Sequence, residues 1–410
     1  MEKQFIPALR FSEFEETNHS PVKFGSVINN SGYGPRFNGN DYDKFGNVKT
    51  IRGTDISLDG EIKYNKVPRA SLDETFIKNH ILKDGDLVMI TTADCGLTGV
   101  FRKQNINYIP SAYAVKISLK ETASSIYFKY FFQTIIAKNQ INRFIRKATV
   151  ANLPGSDIPK LKINIPSLPE QQKIAFFLTE VDIKLSQLTK KKALLENYKK
   201  GVMQQIFRQE IRFKDADGND YGDWVEKRLG DIAMFSKGKG ISKNDIIEHG
   251  KFPCIRYGEL YTNYTETIDV VISFTNLSER ELVLSNGGEV IIPASGETQL
   301  DIATASCILR KGIAIGGDLN IITSKMNGVF LSYYLNQAKK IEIARLSQGS
   351  SVIHLYSKQL SLLKITEPCL EEQNKIANFL SDLDAKIEVL SRSIENTETF
   401  KKGLLQQMFV

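Results

Sequence analysis

Two segments of the chain carry apolar residues at a spacing of seven positions, which predicts two long helices. In residues 168–207 the repeating positions are Ile174, Val181, Leu188, Leu195 and Val202. In residues 370–409 they are Ile376, Leu383, Leu390 and Leu404, with Thr397 interrupting the series. A seven-residue repeat sustained over about five heptads indicates a coiled-coil seam in which the two helices pair with each other. The alternative, that each helix packs on its own globular domain, stays open at this point.

The region before each helix contains short extended runs separated by turn residues. Runs rich in β-branched and apolar residues occur at 86–92, 112–117, 270–274 and 289–292. One aromatic segment in each region, at 126–132 and 329–335, predicts a buried helix rather than a base-stacking surface, because it is apolar on all faces. The pattern predicts two α/β or α+β domains, and Pro166, Pro169 and Pro368 mark the transitions into the long helices.

The chain contains an internal repeat with an offset of 202 residues. Residues 168–207 align with 370–409 without a gap, and 18 of these 40 positions are identical. The same offset relates 9–11 to 211–213 more weakly, and small gaps bring 51–56 onto 255–260. Such matching indicates a tandem duplication. The predicted division is a first domain at 1–167, a central helix at 168–208, a second domain at 209–369 and a C-terminal helix at 370–410.

The duplication also suggests how the helices pair. The linker between them is long enough to permit either direction, but a molecule with two-fold pseudosymmetry would run its equivalent helices antiparallel. A helix of ~36 residues is about 54 Å long at the usual rise per residue. An antiparallel pair would therefore hold the two domains at a fixed separation.

Composition narrows the class of protein only a little. The 410 residues are 41% hydrophobic and 25% charged, which is ordinary for a globular protein and excludes wholesale disorder. A formal charge of +7 permits a polyanionic partner without requiring one. The four cysteines are far apart in sequence, so a zinc ribbon is not expected, and no apolar run approaches the length of a membrane span. We expect a soluble, cytoplasmic protein.

Motifs for catalysis are missing from the sequence. There is no phosphate-binding loop of the G-x-x-x-x-G-K-[ST] type and no G-x-S-x-G elbow. None of the four histidines, at positions 19, 80, 249 and 354, has a histidine partner four residues away that could share a helical metal site. The sequence predicts a non-catalytic chain with no metal and no cofactor of its own.

The duplicated helix sequences resemble those of one family. The openings LPEQQKIAFFL (168–178) and LEEQNKIANFL (370–380), and the endings KKGVMQQIF (199–207) and KKGLLQQMF (401–409), resemble the specificity (S) subunit of Type I restriction–modification systems. The segments IRGTDI at 51–56 and IRYGEL at 255–260 also look like the repeated domain of that family. The resemblance covers essentially the whole chain.

This resemblance implies a fold and a set of partners. The expected fold is two tandem target recognition domains of α/β (α+β) type, joined by two long antiparallel helices that form a coiled coil. Each domain would read one half of a split target in double-stranded DNA. The helices would set the spacer and dock two methyltransferase (M) subunits, which carry S-adenosylmethionine, and motor–nuclease (R) subunits would join for cleavage. Because the helices match strongly between the halves and the domains match only weakly, the two half-sites should differ.

Candidate DNA-binding residues follow from side-chain chemistry, since Arg, Lys, Asn, Gln, Ser and Thr on loops contact phosphates and base edges. The candidates in the first domain are Tyr33, Arg36, Thr91, Thr92, Arg143, Arg146, Lys147 and Asn152. Those in the second domain are Lys237, Lys239, Lys243, Ser295, Gln299, Gln348, Ser350, Ser351 and His354. The loops 146–154 and 347–356 fall at equivalent places in both halves, which favours them. For Arg52 and Arg256 a structural ion pair is an equally good interpretation.

Two other classes of protein remain as alternatives. The chain could be the recognition half of a fused restriction or methyltransferase enzyme, although the missing catalytic motifs disfavour it. It could also be a non-catalytic coiled-coil scaffold whose domains bind proteins. Sequence-selective, salt-sensitive DNA binding that needs both domains would exclude the scaffold.

Overall fold

The computed structural model describes residues 6–147, 149–349 and 352–410. The chain divides into two compact units. Unit 1 comprises the chain through Thr189 together with Arg392–Val410, and unit 2 comprises Lys190–Ser391. Each unit thus contains one part of each long helix. Among the described residues, no helix is long and apolar enough to cross a membrane.

Unit 1 is a mixed α/β unit built around two small sheets. Its strands are β1 (Ser20–Lys23), β2 (Ile28–Tyr33), β3 (Val48–Ile51), β4 (Arg69–Ala70), β5 (Leu87–Ile90), β6 (Thr98–Val100), β7 (Asn107–Pro110), β8 (Ala114–Leu119) and β9 (Lys162–Ile165). Its helices are α1 (Glu74–Ile77), α2 (Ser125–Phe131), α3 (Ile135–Phe144) and the start of α4 (Leu168–Phe207). An antiparallel sheet has the order β2-β8-β5-β6, a second sheet has the order β4-β3-β7, and β1 pairs with β9.

Unit 2 repeats this plan with more strands. They are β10 (Val225–Arg228), β11 (Ala233–Lys237), β12 (Phe252–Ile255), β13 (Thr267–Ile268), β14 (Ser273–Thr275), β15 (Val290–Pro293), β16 (Ser295–Gly296), β17 (Ser306–Ile308), β18 (Ala314–Ile315), β19 (Leu319–Ser324), β20 (Ile353–His354) and β21 (Lys364–Glu367). The helices are α5 (Leu229–Ile232), α6 (Glu259–Thr262), α7 (Gln299–Ile302), α8 (Gly328–Tyr334), α9 (Lys340–Leu346), α10 (Ser357–Leu360) and α11 (Leu370–Gln407). The sheets have the orders β11-β19-β15-β17-β13, β14-β12-β18, β10-β21 and β16-β20.

The two long helices pair antiparallel. In unit 1, Leu178 and Val181 of α4 share a buried cluster with Leu404 of α11 and with Met408, which follows that helix directly. In unit 2 the opposite ends meet, because Val202 of α4 shares a buried cluster with Ile376, Leu380 and Leu383 of α11. The start of each helix therefore packs against the end of the other, as the pseudosymmetry of the sequence suggested.

A reciprocal pair of ionic contacts accompanies this packing. The Lys401 ammonium lies 2.6 Å from an oxygen of Asp182 in unit 1. The Lys199 ammonium lies 2.6 Å from an oxygen of Asp384 in unit 2. The two pairs are related by the 202-residue offset. In unit 1 the lysine comes from α11 and the aspartate from α4, and in unit 2 the lysine comes from α4 and the aspartate from α11.

The seam residues predicted from the heptads are mostly buried. Leu188 and Leu195 are only half-buried, while the other seven are buried. Ile174 and Leu178 also share their cluster with the aromatic side chains of α2, such as Phe128 and Phe131. Pairing with the other helix and packing on the adjacent domain are therefore not alternatives, because one continuous core serves both.

The aromatic segments form buried helices, as expected for core residues. Tyr127, Phe128 and Tyr130 of α2, and Phe330 and Tyr333 of α8, are almost completely buried. The strand prediction at 270–274 is only partly right, because β14 begins at Ser273. Val270 and Ile272 are exposed and lie outside the sheets, since the chain turns there before the strand begins.

The first turn of α4 is anchored to its domain by a buried carboxylate and an amide. Glu170 is fully buried and accepts a hydrogen bond from Nε of Arg10 at 2.7 Å. The side-chain oxygen of Gln171 accepts from the backbone amide of Ser124, at the start of α2, at 2.9 Å. The neighbouring Glu and Gln therefore fix the helix to the domain, with each group hydrogen-bonded as burial requires.

The same anchor is present at α11. Glu372 accepts from Nη2 of Arg212 at 2.7 Å and from the indole Nε1 of Trp224 at 3.1 Å. The side-chain oxygen of Gln373 accepts from the backbone amide of Asn327, at the start of α8, at 2.8 Å. The E-Q pair shared by both helix openings thus has a structural role in each unit.

Candidate nucleic-acid interface

In unit 1, the loop after β5 and the loop after α3 are joined through their backbones. Thr92 and Arg146 each form a β-bridge with Asn152. The backbone amide of Arg146 donates to the Asn152 carbonyl at 2.9 Å, and the reverse bond measures 3.1 Å. The side chains of Arg146 and Asn152 are exposed, and the side chain of Thr92 is half-buried. Three predicted residues from two loops that are distant in sequence therefore share one surface with donors and acceptors suited to base edges.

Unit 2 builds the same arrangement from different side chains. Ser295 of β16 pairs with His354 of β20, and Gln348 forms a bridge with His354. The backbone amide of Gln348 donates to the His354 carbonyl at 2.9 Å, and the reverse bond measures 2.7 Å. The side chains of Gln348 and His354 are exposed. Gln299 is also exposed and begins α7, which packs beside β16 and β20. The candidates Ser350 and Ser351 lie outside the described residues.

Two candidates from the sequence are wrong as surface contacts. Thr91 is buried, and its hydroxyl donates to the Tyr113 carbonyl at 2.9 Å. Ser295 is also buried, because it is paired within its short sheet. Thr91 follows the end of β5, and Ser295 lies in β16 between the buried residues Ala294 and Gly296. Both residues position the loops through backbone and buried contacts.

A cavity of about 740 Å³ opens beside the loop of Thr92 in unit 1. Its lining includes Arg36, Arg52, Thr92, Asp94 and Tyr113. Arg36 and Tyr113 are exposed, so a guanidinium and a phenol border the opening. The cavity brings the separately predicted Arg36 and Thr92 to one place.

Arg52 forms the structural ion pair that was one interpretation of it, and its side chain is also partly exposed. Its Nε and Nη2 donate to the carboxylate of Asp55 at 3.1 and 3.0 Å, and this hydrogen bonding raises the pKa of Arg52. The side chain remains 43% exposed and lines the cavity. The ion pair therefore fixes the orientation of the guanidinium at the cavity wall, and the Asp55 carboxylate balances its charge. In unit 2, Glu259 accepts from the backbone amide of the equivalent Arg256 at 2.8 Å.

Tyr33 forms hydrogen bonds within its own domain. Its hydroxyl accepts from the backbone amide of Gly155 at 2.6 Å, and its carbonyl contacts Nδ1 of His80 at 2.9 Å. The next residue, Gly34, permits a close crossing, because a Cβ there would lie 1.9 Å from the Pro110 carbonyl oxygen. Gly238 follows Lys237 in the same way, with a Cβ position 2.0 Å from the Gly316 carbonyl oxygen.

The other basic candidates are exposed on both units. Arg143, near the end of α3, and Lys147 are exposed in unit 1, as are Lys237 and Lys243 in unit 2. The Lys239 ammonium donates to the Arg280 carbonyl at 3.0 Å, which ties it to a neighbouring loop. These residues supply positive charge around the two loop pairs.

One basic residue was missed by sequence reasoning. Arg345 is exposed in the last turn of α9 and is the counterpart of Arg143 at the 202-residue offset. Applying the offset to each candidate would have found it, because both arginines close the helix that precedes a recognition loop.

These features define a class of protein: a tandem α/β fold whose two units present equivalent polar loops and share an antiparallel helix pair. A family model described as the Type I restriction modification DNA specificity domain matches residues 21–197 and again 221–398. The chain belongs to this family.

Named relatives agree with that assignment. The chain is 26% identical over 301 residues to the putative type I restriction enzyme MjaX specificity subunit of Methanocaldococcus jannaschii, covering 70% of this chain and 67% of the relative. It is 24% identical over 294 residues to the MjaVIII specificity subunit of the same organism, covering 67% of this chain and 68% of the relative.

Solved structures share the fold. The S subunit of a type I restriction–modification system from M. genitalium matches with a TM-score of 0.63 at 15% identity, over 99% of both chains. The HsdS subunit from Thermoanaerobacter tengcongensis matches with a TM-score of 0.50 at 16% identity, over 95% of this chain and 96% of the other. The fold of this chain is therefore that of these solved S subunits.

Proposed function

We propose that this protein is the sequence-specific DNA-recognition subunit of a Type I restriction–modification complex. One observation carries the proposal: the two units build the same pair of loops and place different side chains on them. Arg146 and Asn152 in unit 1 correspond to Gln348 and His354 in unit 2. Side chains of different donor and acceptor pattern select different bases. The two units would therefore read two different half-sites, which gives an asymmetric bipartite target.

The partners and the chemistry follow from the same proposal. Two methyltransferase subunits would bind the helix pair and supply S-adenosylmethionine, and motor–nuclease subunits would add cleavage. This chain itself would be non-catalytic and would carry no cofactor. Such a complex would act on double-stranded DNA in the cytoplasm.

Modified-base sequencing tests the proposal in cells. The chain is expressed with its cognate methyltransferase subunit in a host that lacks adenine methylation, and the genome is sequenced for methyladenine. We expect one bipartite motif with a methyladenine in each half. The control omits this chain and should show no such motif. A continuous motif, or unchanged methylation without the chain, would refute the proposal.

DNA binding in vitro separates this function from that of a protein scaffold. With a duplex containing the motif, the assembled complex should bind tightly, and the logarithm of its affinity should fall linearly with the logarithm of salt concentration. A duplex with one scrambled half-site should bind more weakly. Equal affinity for all duplexes would favour a scaffold.

A further inference from the structure

The cavity beside Thr92 in unit 1 is lined by aromatic side chains that remain open to solvent. Tyr42 is 43% exposed and Tyr113 is 58% exposed, and both line the cavity. The ring of Tyr42 packs edge-on against that of Phe37, with the ring centroids 5.3 Å apart. The Tyr113 carbonyl accepts hydrogen bonds from the backbone amide and the hydroxyl of Thr91. Contacts within unit 1 therefore hold both tyrosines in place while their rings stay accessible.

The cavity is continuous with the candidate recognition loops. Ala93 lines the cavity, and its backbone amide donates to the Ala151 carbonyl at 3.0 Å. Ala151 directly precedes Asn152, whose exposed side chain is one of the candidate base contacts. Ala93 has a φ of 63°, in the left-handed region that costs energy for residues other than glycine. Strain of this kind clusters at binding sites, where the surrounding structure maintains it.

The polar part of the lining suits the edge of a nucleobase. Arg36 and Asp94 are exposed, and Thr54 and Thr92 add hydroxyl groups. A carboxylate accepts from the exocyclic amino group of a base, and a guanidinium donates to carbonyl and ring-nitrogen acceptors. The volume of about 740 Å³ lies within the roughly 300–1,000 Å³ range of small-molecule pockets. The cavity thus combines stacking surfaces, donors and acceptors in a space large enough for a base with its sugar.

Unit 2 has no aromatic ring at the two corresponding positions. Ile246 corresponds to Tyr42, since each follows a single helical turn closed by a capping box. Asp318 corresponds to Tyr113, since each directly precedes the second strand of the main sheet, β19 or β8. The pair of exposed rings is therefore a feature of unit 1 and is not required by the shared fold.

We propose that the cavity of unit 1 binds one nucleobase that has left the stack of the target DNA, with Tyr42 and Tyr113 stacking on it. This inference rests on the proposed function and adds base extraction to the reading of base edges. Arg36 and Asp94 contact the pairing edge that extraction exposes. The base comes from the half-site that unit 1 reads, and the extraction serves recognition.

An extracted base fits this site better than a base inside the duplex. Base edges in the groove are read by side chains that project from the protein surface. Here the tyrosines line a recess, and stacking on them requires a free base face. Inside the duplex both faces of a base are covered by its neighbours. A free nucleotide also has uncovered faces, so the experiment must separate the two sources.

The test uses the complex of the full chain with its cognate methyltransferase subunits and duplexes that contain the target motif. Each base in turn is kept while the base opposite is replaced by each of the three mismatched bases. Fluorescence anisotropy measures the affinity. A mismatch lowers the cost of extraction, so affinity should rise roughly five-fold or more at one position of one half-site, whichever mismatch is used. The methylated adenines are left out of the comparison, because a methyltransferase extracts its own target base.

Variants of the two tyrosines connect this gain to the cavity. Tyr42→Ala with Tyr113→Ala should remove the gain and weaken binding of the matched duplex on the order of 5–150-fold, as expected for lost base stacking. Tyr42→Phe with Tyr113→Phe should keep the gain, because stacking needs only the ring. The matched control is Phe76→Ala, which removes another exposed ring of unit 1 and should behave as the wild type does. A gain that persists in the double alanine variant would show that another part of the complex extracts the base.

Further outcomes would also overturn the inference. If mismatches raise the affinity at no position outside the methylated adenines, the cavity takes no extracted base, while the proposed function stands. The four free deoxynucleoside monophosphates should not compete with the duplex. If one of them binds the cavity and leaves the affinity for DNA unchanged, the cavity is a mononucleotide site instead. If the complex binds motif and scrambled duplexes equally, both the inference and the proposed function fail.

Discussion

The anchors at the starts of the two long helices and the loops at the recognition surfaces differ in how far the two units have diverged. At the anchors, Glu170 with Arg10 and Glu372 with Arg212 are the same pair in both units. At the loops, Arg146 in unit 1 stands where unit 2 has Gln348. A buried ion pair cannot lose one member without leaving an unpaired charge, whereas an exposed loop residue can change freely. The comparison separates residues fixed by folding from residues free to acquire a new target.

The largest expected effect on stability comes from removing the buried carboxylate in unit 1. Glu170→Ala should lower the free energy of unfolding by about 3–5 kcal/mol, because it leaves the Arg10 guanidinium buried and unpaired. Glu372→Ala should cost less, since the side chain of Arg212 is 20% exposed and that of Arg10 only 7%. Urea unfolding followed by circular dichroism measures both. Glu180→Ala, at an exposed position of α4, is the control. Equal stability of Glu170→Ala and the control would show that the anchor is not needed.

The close backbone crossings come next and should affect both units alike. Gly34→Ala and Gly238→Ala should each destabilise the protein by about 1–3 kcal/mol, because the new methyl group overlaps a carbonyl oxygen and the backbone must shift. The matched controls are Gly32→Ala and Gly240→Ala, where a Cβ meets nothing within 4 Å. Differential scanning calorimetry compares the pairs. Unfolding temperatures that match the controls would contradict the predicted clash.

The loop residues should show effects confined to one half-site. If Arg146 reads a base, Arg146→Ala should cost about 1–3 kcal/mol of discrimination at one position of one half-site. Gln348→Ala should instead reduce base discrimination in the other half-site. Modified-base sequencing of cells carrying each variant measures both. Relaxation of both halves by a single variant would show that the units do not read independently.

The smallest effect concerns pH and distinguishes the two anchors directly. His19 lies beside Glu170, where unit 2 has Trp224 beside Glu372. Burial lowers the pKa of His19 below its ordinary value of 6.5. The unfolded chain then binds a proton more readily than the folded chain, so stability should fall as the pH drops below about 6.5.

Replacement of this histidine should remove that part of the pH dependence. His19→Gln should show a smaller loss of unfolding temperature than the wild type between pH 7.5 and pH 5.5. Trp224→Phe serves as the control in unit 2 and should keep the wild-type slope. An identical slope for His19→Gln would mean that His19 does not titrate differently on folding.

The helices and the repeat could be predicted from the sequence, because both depend on spacing along the chain. Residues 168–207 form a single helix with the bounds that the heptads indicated. Antiparallel pairing also followed, since two equal helices in a pseudosymmetric molecule have few other arrangements. Predictions of this kind succeed when a pattern repeats over many residues.

The placement of the candidate recognition residues is harder to predict from the sequence, because it depends on contacts between distant segments. Thr92 and Asn152 meet through a bridge between two loops that no local pattern reveals. Thr91 and Thr92 follow the end of β5, and Thr91 is the buried one because its backbone amide and its hydroxyl both donate to the carbonyl of Tyr113, a residue distant in sequence. The role of Gln171 was also hidden, since its partner, the Ser124 amide, is a backbone group.

The division of the chain into units has a consequence for the order in which they can fold during synthesis. Unit 2 is one continuous stretch, Lys190–Ser391, and can fold as soon as it leaves the ribosome. Unit 1 needs Arg392–Val410, so Leu178 and Val181 cannot complete their buried cluster until Leu404 has been synthesised. At roughly 5–20 residues per second, that wait is on the order of 10–40 seconds. The first half of the nascent protein therefore completes its core last, with apolar side chains of α4 unpaired in the meantime.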